Sequence, residues 1–441
     1  MRDPGTHLGP LGGPERDAVG AEMHALAERL YPICRSITGE GVRQTLSILG
    51  ERIPLEVVEV PSGTEAFDWR VPKEWNVRAA WIEGPDGERV VDFADHNLHL
   101  LSYSVPVRAR MPLAQLQAHL ASLPEQPDVI PYRTSYYAER WGFCLPHRQR
   151  ERLADGEYEV CVDSTLEDGH LTYGELHLPG EIEDEMLIST HVCHPSLAND
   201  NLSGIAVATF LAERLARAPR HWSYRFLFVP GTIGSITWLA RNRETAHRVK
   251  AGLVAANLGD AGGFHYKRSF AGRSLIDHAV AQASRDLGEP LETEDFVPYG
   301  YDERQYSAPA FRLPVGSLTR TPYGRYPEYH TSADDLSFLR PDALAGSLAA
   351  YLTVTGIVDC ERRYVSTHPW SEPQLGKRGL YRTVGGSDRG RERELALLWV
   401  LSLGDGRHTL LDVAERSGLP RAAVDEAARV LREEGLIREA D

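Results

Sequence analysis

The sequence has few cysteines, and they are widely separated along the chain. Five cysteines occur in 441 residues, and no two of them form a C-x-x-C pattern. An odd and scattered set excludes a disulfide-stapled secreted domain and a cysteine-based zinc finger. We expect four of them to pack as small apolar residues, whereas Cys193 lies within the polar cluster described below.

Basic residues and long apolar runs are also scarce. Lys and Arg number 48 against 63 Asp and Glu, which gives a formal charge of -15. A surface of this sign repels phosphate backbones, so we expect no nucleic-acid partner. No apolar run approaches the roughly 18 residues of a membrane span, and the first 20 residues lack the apolar core of a signal peptide. We therefore expect a cytoplasmic protein without a membrane partner.

The length requires more than one packed unit, because a single core rarely exceeds roughly 250 to 300 residues. With 42% hydrophobic and 25% charged residues the composition is that of a globular protein. We predict N-terminal helices over 1–54 that belong to the main domain, an inserted β domain over 55–178, the main α/β domain over 179–375 and a winged-helix domain over 376–441.

Two different patterns of apolar residues support the predicted segments 55–178 and 179–375. Short alternating runs separated by turn residues between 55 and 178 are typical of antiparallel strands. From Met186 onward, strands alternate with helices, which predicts a mainly parallel sheet covered by helices on both faces. Catalytic groups in such sheets gather at the carboxyl ends of the strands.

The tail has the order of a winged helix, with three helices followed by a short strand. Residues 391–441 contain eight Arg, no Lys and eleven acidic residues. The helix that would read DNA, from Arg421, carries Asp425, Glu426, Glu433 and Glu434. We therefore expect a packing or protein-interaction role for this unit rather than DNA binding, since a reader needs a basic footprint.

The densest polar cluster runs from Ser189 to Gly204, with His191 at the end of a predicted strand and Asp200 near the start of a helix. Neutral imidazole and carboxylate are ligands that zinc prefers. The alternative is that Asp200 or Ser203 caps the helix and that His191 packs in the core.

Two further clusters strengthen the metal interpretation. Asp260 follows another predicted strand, within a loop of small residues, and His330 stands in a polar turn that could also be a capped helix start. Strand-end loops that offer His191, Asp200, Asp260 and His330 predict a metal site.

The order of these motifs resembles the co-catalytic zinc aminopeptidases of the bacterial leucyl aminopeptidase and glutamate carboxypeptidase type. The phrase His-Val-Cys-His-Pro-Ser-Leu-Ala-Asn-Asp-Asn-Leu-Ser-Gly from residue 191, and Pro-Glu-Tyr-His-Thr-Ser-Ala-Asp ending at residue 334, resemble a bacterial branch of that group. Its members carry an inserted β domain and a C-terminal winged helix and are often associated with polysaccharide or natural-product biosynthesis. The resemblance implies one or two zinc ions, with His191 and Asp260 on one metal, Asp200 bridging and His330 on the second.

The chain departs from the peptidase pattern at two places. Cys193 stands where an Asp would orient the first imidazole, and the segment 228–234 offers no carboxylate where the pattern has a Glu-Glu pair. Either a single metal works with a base from elsewhere, or the site binds metal or ligand without turnover. His194 and Cys193 are alternative donors for a second metal, although the following Pro195 favours a turn.

Glu303 and Glu328 are the candidate replacements for the missing base. Salt bridges with Arg304 or Arg325 are the competing interpretation of these two carboxylates. For substrate contacts the candidates are Arg320, Tyr323, Arg325 and Tyr326, because Arg binds carboxylates in a bidentate way and Tyr offers a flat face with a polar tip. As loop residues they could equally lie at a surface or domain interface.

Together these observations predict a zinc-dependent, aminopeptidase-like hydrolase that cleaves an amide bond of a small aminoacyl or peptide-like substrate. An acidic pocket rim would bind the substrate amine. The alternative is a non-catalytic metal- or ligand-binding scaffold that keeps the peptidase fold. The sequence leaves open whether the chain forms a homo-oligomer.

Overall fold

A computed structural model describes residues 12–381 and 388–440 of the chain. The main domain is built on an eight-stranded sheet whose four central strands are parallel. In spatial order the strands are Glu56–Pro61, His170–Leu178, Ser223–Val229, Glu185–His191, Val249–Ala255, Val315–Thr319, Phe264–Lys267 and Leu291–Glu294. Antiparallel pairings occur only towards the two edges of this sheet. The predicted α/β class with a mainly parallel sheet is confirmed.

Helices cover both faces of the sheet, and the alternation along the strands shows why. Met186 and Ile188 belong to one apolar core, whereas Leu187 between them belongs to the other. Successive side chains of a strand point to opposite faces, so a strand buried on both faces reads as a continuous apolar run. The helices of this domain are Gly13–Leu30, Glu40–Gly50, Gly204–Arg217, Ile233–Arg241, Leu275–Leu287 and Pro341–Asp359, with a short helix at Glu303–Tyr306. The inserted region contains the short helices Leu113–Leu116 and His147–Glu151.

One helix in the described part of the chain, Pro341–Asp359, is long and apolar enough to cross a membrane by length and composition. In this fold 72% of its apolar window is buried inside the protein. It packs against Gly13–Leu30, Gly204–Arg217 and Leu275–Leu287. Its apolar surface is therefore used within the core of the main domain.

The inserted β region forms its own four-stranded antiparallel sheet. Its spatial order is Arg89–Asp92, Glu74–Glu83, Glu157–Glu167 and Val107–Pro112. The first and last strands of the segment 55–178 pair in the large sheet instead, so the insert is narrower than the predicted segment. The longer strands of this segment all pair in an antiparallel way. The alternation of apolar and polar residues alone therefore does not show which strands belong to the insert and which to the large sheet. Two-residue strands pair at Glu65–Ala66 with Trp69–Arg70 and at Leu120–Ala121 with Phe143–Cys144.

The C-terminal unit begins earlier than the predicted residue 376. The strand Arg363–Ser366 pairs with both other strands of the small tail sheet, which places it in this unit. The remaining elements are the helices Asp388–Ser402, Leu410–Ser417 and Arg421–Glu433 and the strands Asp405–Thr409 and Ile437–Glu439.

Two arginines of the helix Arg421–Glu433 form ion pairs with their own chain. Arg421 is buried and donates to the carboxylate of Glu361 at 2.5 Å and to that of Asp425 at 2.8 Å. Arg429 pairs with Glu426 and Glu433. A buried guanidinium needs such partners, so Arg421 fixes the winged-helix unit against the end of the main domain. That nucleic acid is not a partner remains a prediction.

Candidate active site

The candidate site lies at the carboxyl ends of the parallel strands, where His191 is the last residue of the strand Glu185–His191. Asp200 lies in the turn Ala198–Ser203 that leads into the helix Gly204–Arg217. Both side chains are buried, and His191 Nε2 lies 2.8 Å from Asp200 Oδ1. The strand end and the helix start therefore bring the first two predicted ligands together.

Three imidazoles surround the Asp200 carboxylate. His330 Nε2 lies 3.0 Å from Asp200 Oδ2, and His194 Nε2 lies 3.9 Å from the same oxygen. Burial alone would raise the pKa of Asp200, but His194, His191 and His330 hold that pKa well below its usual range. Burial lowers the pKa of His194 well below its ordinary value, which keeps this imidazole neutral. We call His191, His194, Asp200 and His330 the histidine wall.

The loops that carry Asp200 and His330 are held together by Asp334. Its two carboxylate oxygens accept hydrogen bonds from the backbone N–H groups of Asn199 at 2.6 Å and Asp200 at 2.9 Å. Burial raises the pKa of Asp334 to about 8, against the effect of these donors. The polar turn around His330 thus fixes the position of Asp200 as well as contributing an imidazole.

The inserted β region also supports the histidine wall. The Tyr132 ring lies 5.1 Å from the ring centres of both His194 and His330. The Tyr132 N–H donates to the His330 carbonyl at 2.8 Å, and Ile130 exchanges two hydrogen bonds with Ser332. The insert therefore helps to hold His194 and the turn around His330 in position.

The donors of the histidine wall fit a zinc ion. His191, His194 and Asp200 each offer one ligand atom, and these atoms lie within 4.8 Å of one another. His191 Nδ1 is buried without a hydrogen-bond partner. Several imidazoles and one carboxylate form a donor set that zinc prefers.

Asp260 does not join the histidine wall, contrary to its predicted role as a ligand. Its carboxylate accepts hydrogen bonds from the Asn199 amide at 3.0 Å, the Thr321 hydroxyl at 2.6 Å and the Gly262 N–H at 2.7 Å. The strand Val249–Ala255 ends several residues earlier, and the intervening turn directs Asp260 into the loop. Its function in the fold is to join this loop to two neighbouring ones.

A cleft of about 190 Å³ opens beside His191 and His194. The cleft is also lined by Tyr323, Tyr329 and a group that we call the substrate wall, which consists of Tyr299, Gly300, Tyr301, Asp302 and Arg304. Tyr301 stacks on His191 with ring centres 5.0 Å apart, and Tyr329 stacks on His330 at 3.9 Å. The rings fix the imidazole planes and limit access of water to them.

Asp302 is the buried carboxylate in the lining of this cleft. Its Oδ1 accepts a hydrogen bond from the Ser235 hydroxyl at 2.7 Å, whereas its Oδ2 is buried without a partner. Burial raises the pKa of Asp302 to about 6. A Cβ atom at Gly231 would lie 3.2 Å from His191 Cβ and 3.8 Å from Asp302 Oδ2. Asp302 thus places a carboxylate next to the segment that lacks the expected glutamates.

The two predicted bases lie elsewhere. Glu303 is buried and accepts a hydrogen bond from Lys267 Nζ at 2.7 Å, and it does not line the cleft. The predicted alternative, a salt bridge to Arg304, is not formed either. Glu328 is partly exposed and also lies outside the cleft lining. Adjacent residues of a helical turn point about 100° apart, which is why Asp302 faces the cleft and Glu303 faces away. The run Tyr-Asp-Glu-Arg at 301–304 contains two adjacent acidic residues. The sequence pattern does not show which of the two faces the cleft.

Of the four predicted substrate residues, Tyr323 lines the cleft. Tyr326 is buried and donates to Asn257 Oδ1 at 3.3 Å. Arg325 pairs with Glu292 and Glu294.

Arg320 also has a structural role and does not line the cleft. It donates to the carbonyls of Gly262 and Ala343 and to the Ser347 hydroxyl. The arginine that does line the cleft is Arg304, which the sequence suggested only as a salt-bridge partner.

Known proteins show where this architecture recurs. A Clostridium acetobutylicum protein, provisionally named for polysaccharide biosynthesis and for an aminopeptidase-like domain, is 49% identical over 413 residues, covering 94% of this chain and 95% of that protein. A crystal structure of a C. acetobutylicum protein provisionally named a peptidase matches with a TM-score of 0.91 and 47% identity, over 97% of this chain and 98% of that one.

More distant structures share the fold of the main domain. A zinc aminopeptidase from Bacillus subtilis matches with a TM-score of 0.57 and 13% identity, over 77% of this chain and 93% of that one. A peptidase M28 precursor from Shewanella amazonensis gives 0.53 and 15%, over 78% and 96%. At this identity the likeness concerns the fold, and it confirms the aminopeptidase-like architecture that the motifs predicted.

Two family descriptions divide the chain between them. The winged helix-turn-helix family matches residues 362–439, in agreement with the strand that begins the C-terminal unit at Arg363. The domain of unknown function DUF4910 matches residues 24–361, which cover both the cleft and the inserted sheet. The chain therefore belongs to the DUF4910 family, with an aminopeptidase-like fold and a C-terminal winged helix.

Proposed function

We propose that the protein is a zinc-dependent hydrolase that cleaves an amide bond in a small aminoacyl or peptide-like substrate. The observation that carries the proposal is the convergence of three imidazoles on the buried Asp200 carboxylate beside a cleft at the strand ends. Zinc would be held by His191 and Asp200 with His194 or His330. When bound, zinc polarises a carbonyl and lowers the pKa of water to about 7.

Asp302 is the group that moves the proton in this proposal. Its free Oδ2 accepts a proton from the attacking water and then delivers it to the leaving nitrogen. The new C–O bond forms as the C–N bond breaks, so that the elements of water are divided between an acid and an amine. A pKa of about 6 suits this task, because general bases work best when their pKa lies near the operating pH.

The rings around the cleft orient the reacting groups. Tyr301 receives a hydrogen bond from the Asn257 amide at 2.9 Å, which fixes the ring that stacks on His191. Tyr299 and Tyr323 extend the aromatic surface towards solvent. This wall holds the body of a small substrate against the metal ligands and excludes water from the reacting carbonyl.

The names of the relatives are consistent with this proposal. The Bacillus subtilis protein that shares the fold is a zinc aminopeptidase. The name of the C. acetobutylicum relative links that protein to polysaccharide biosynthesis, which supports our proposal that the substrate is a small amide of polysaccharide or natural-product biosynthesis.

The first test of the proposal is whether the protein binds zinc and needs it for activity. The purified protein is analysed for bound zinc, stripped with a chelator, reloaded, and assayed against a panel of aminoacyl and N-acyl amides. We expect about one or two zinc ions per chain and turnover that disappears on stripping and returns on reloading. In His191→Ala, the zinc and the turnover should both be lost while the circular-dichroism spectrum is kept.

The alternative of a non-catalytic scaffold makes a different prediction. It is favoured by the segment 228–234, which carries no glutamate where zinc aminopeptidases have a pair. Under this alternative the protein binds zinc and is stabilised by it, but no amide of the panel is cleaved faster than in the His191→Ala control. That result would overturn the hydrolase proposal and leave the metal site intact.

A further inference from the structure

The substrate wall contains a cation that the protein itself does not pair. Arg304 lines the same cleft as His191 and His194. Within residues 12–381 and 388–440, Arg304 forms no hydrogen bond or salt bridge, and its Nε is buried without a partner. It acts on Asp302 and Tyr323 only through longer-range electrostatics.

Two arginines near the loop that carries Tyr323 do find partners within the protein. Arg320 is satisfied by three hydrogen bonds, and Arg325 by two carboxylates. Leaving a buried N–H of a guanidinium unpaired costs free energy. The Arg304 side chain is only partly buried and lines the cleft, so a ligand there can pair with the accessible part of this unpartnered guanidinium. A carboxylate matches the forked donors of an arginine best.

Among the described residues, the cleft does not have the rim of carboxylates that a free amine would require. Asp302 is the carboxylate of its described lining, and this group is buried and hydrogen-bonded to Ser235. The helix Ile233–Arg241 begins at the same cleft, next to Gly231 and Thr232, and its positive end also favours an anion. The charges that the cleft offers to a ligand are therefore of the opposite sign to the acidic rim expected from the sequence.

We infer that the cleft takes a substrate with a carboxylate near the scissile amide, an N-acyl amino acid or a peptide-like equivalent, and that Arg304 binds this carboxylate. The inference rests on the proposed hydrolase function and names its substrate class. Hydrolysis of such a substrate consumes one water and releases an acid and a free amino acid. The tyrosines of the cleft contact the remainder of the acyl group.

Binding of an uncleavable analogue tests the inference separately from turnover. The probes are 4-oxo-4-phenylbutanoate, in which a methylene replaces the amide nitrogen of an N-benzoyl amino acid, its neutral N-methylamide, and 3-phenylpropylamine as the cationic probe. Each is titrated into the zinc-loaded protein by calorimetry. We expect the carboxylate to bind about 10- to 100-fold more tightly than the methylamide, as a charge-assisted pair allows, and the amine to bind most weakly.

Variants assign the preference to Arg304. In Arg304→Ala the preference for the carboxylate should vanish while the affinity for the methylamide is unchanged, and Arg304→Lys should keep part of the preference. Arg273→Ala removes an exposed arginine outside the cleft and should behave like the wild type. Thermal unfolding of each variant verifies that the fold is kept.

Two results would overturn the inference. One is tighter binding of the amine than of the carboxylate. The other is a preference for the carboxylate that persists in Arg304→Ala, which would show that the bound metal alone attracts it. If the preference depends on Arg304 but no amide is cleaved, the recognition site stands and the hydrolase function fails.

Discussion

The carboxylates on the two sides of the cleft, Asp200 and Asp302, differ in their hydrogen bonding. On the histidine wall, both oxygens of Asp200 are engaged by imidazoles, and the loops behind them are tied by Asp334. On the substrate wall, Asp302 and Arg304 each keep a buried polar atom without a partner. Buried polar groups are normally satisfied, so unpaired ones mark places where something else binds or reacts.

The difference suggests that the two walls have separate functions. The histidine wall would bind the metal, and the substrate wall would bind the substrate. The histidine wall is organised by the chain alone and has a donor set suited to a cation. The substrate wall leaves one acceptor, Asp302 Oδ2, and one donor, Arg304 Nε, buried without a hydrogen-bond partner in the protein. Substitutions on the two walls should therefore affect different measurements.

The largest effect is expected from Asp302→Asn. The amide keeps the shape and the hydrogen bond to Ser235 but cannot accept the proton, so kcat should fall about 100- to 10,000-fold with little change in KM. Zinc content should remain that of the wild type. The measurement is steady-state kinetics on the best amide of the panel, together with metal analysis.

Glu303→Gln is the matched comparison for Asp302→Asn. It removes the adjacent carboxylate, which pairs with Lys267 away from the cleft, so it should lower stability and leave kcat nearly unchanged. If instead Glu303→Gln abolished turnover and Asp302→Asn did not, the base predicted from the sequence would be the correct one.

The sequence predicted the histidine wall better than the substrate wall. His191 ends a strand and Asp200 precedes a helix, and the topology of a parallel sheet brings such positions together. His330 was indicated by its polar turn. Asp260 shares this sequence signature but turns into the loop, since its position depends on the turn after Val249–Ala255. No pattern in the chain indicates which side of a short helical turn faces a cleft, so Asp302 and Arg304 could only be identified from the fold.

A smaller effect is expected from Tyr132→Ala, which removes the ring that the insert packs against both His194 and His330. Partners that orient metal-ligating imidazoles typically contribute 10- to 100-fold to metal affinity, and we expect a loss in this range. Chelator competition measures it. Tyr132→Phe keeps the ring and loses only the hydroxyl contact with Tyr136, so it should bind zinc like the wild type. Unchanged affinity in Tyr132→Ala would mean that the histidine wall does not need the insert.

The role of the insert could not have been derived from its own sequence pattern. Alternation predicted antiparallel strands, and the structure contains them. The contact that matters, between Ile130–Tyr132 and the turn around His330, joins segments about 200 residues apart in the chain. Local periodicity carries no information on such a pairing, which depends on how the small sheet docks.

The smallest effect concerns the attachment of the insert and should leave the chemistry untouched. Glu74, on a strand of the small sheet, accepts two hydrogen bonds from Arg43 at 2.7 Å and one from the His170 N–H at 2.8 Å. The hydrogen bonds from Arg43 lead the effects that lower the pKa of Glu74 from 4.5 to about 2, against the cost of burial. Because the folded pKa is depressed, this carboxylate stabilises the fold fully above pH 4.5 and loses its contribution as the pH falls towards 2.

Glu74→Gln should therefore lower the free energy of unfolding by about 1 kcal/mol at pH 7, a value reduced for solvent screening of a partly exposed pair. The difference in Tm from the wild type should narrow progressively below pH 4.5. Glu65→Gln, at an exposed pair with Arg70, should change Tm little at any pH. Because Glu74 does not line the cleft, kcat at pH 7 should match the wild type. A fall in kcat would show instead that the insert transmits strain to the histidine wall, and the two walls would then be less independent than their hydrogen bonding indicates.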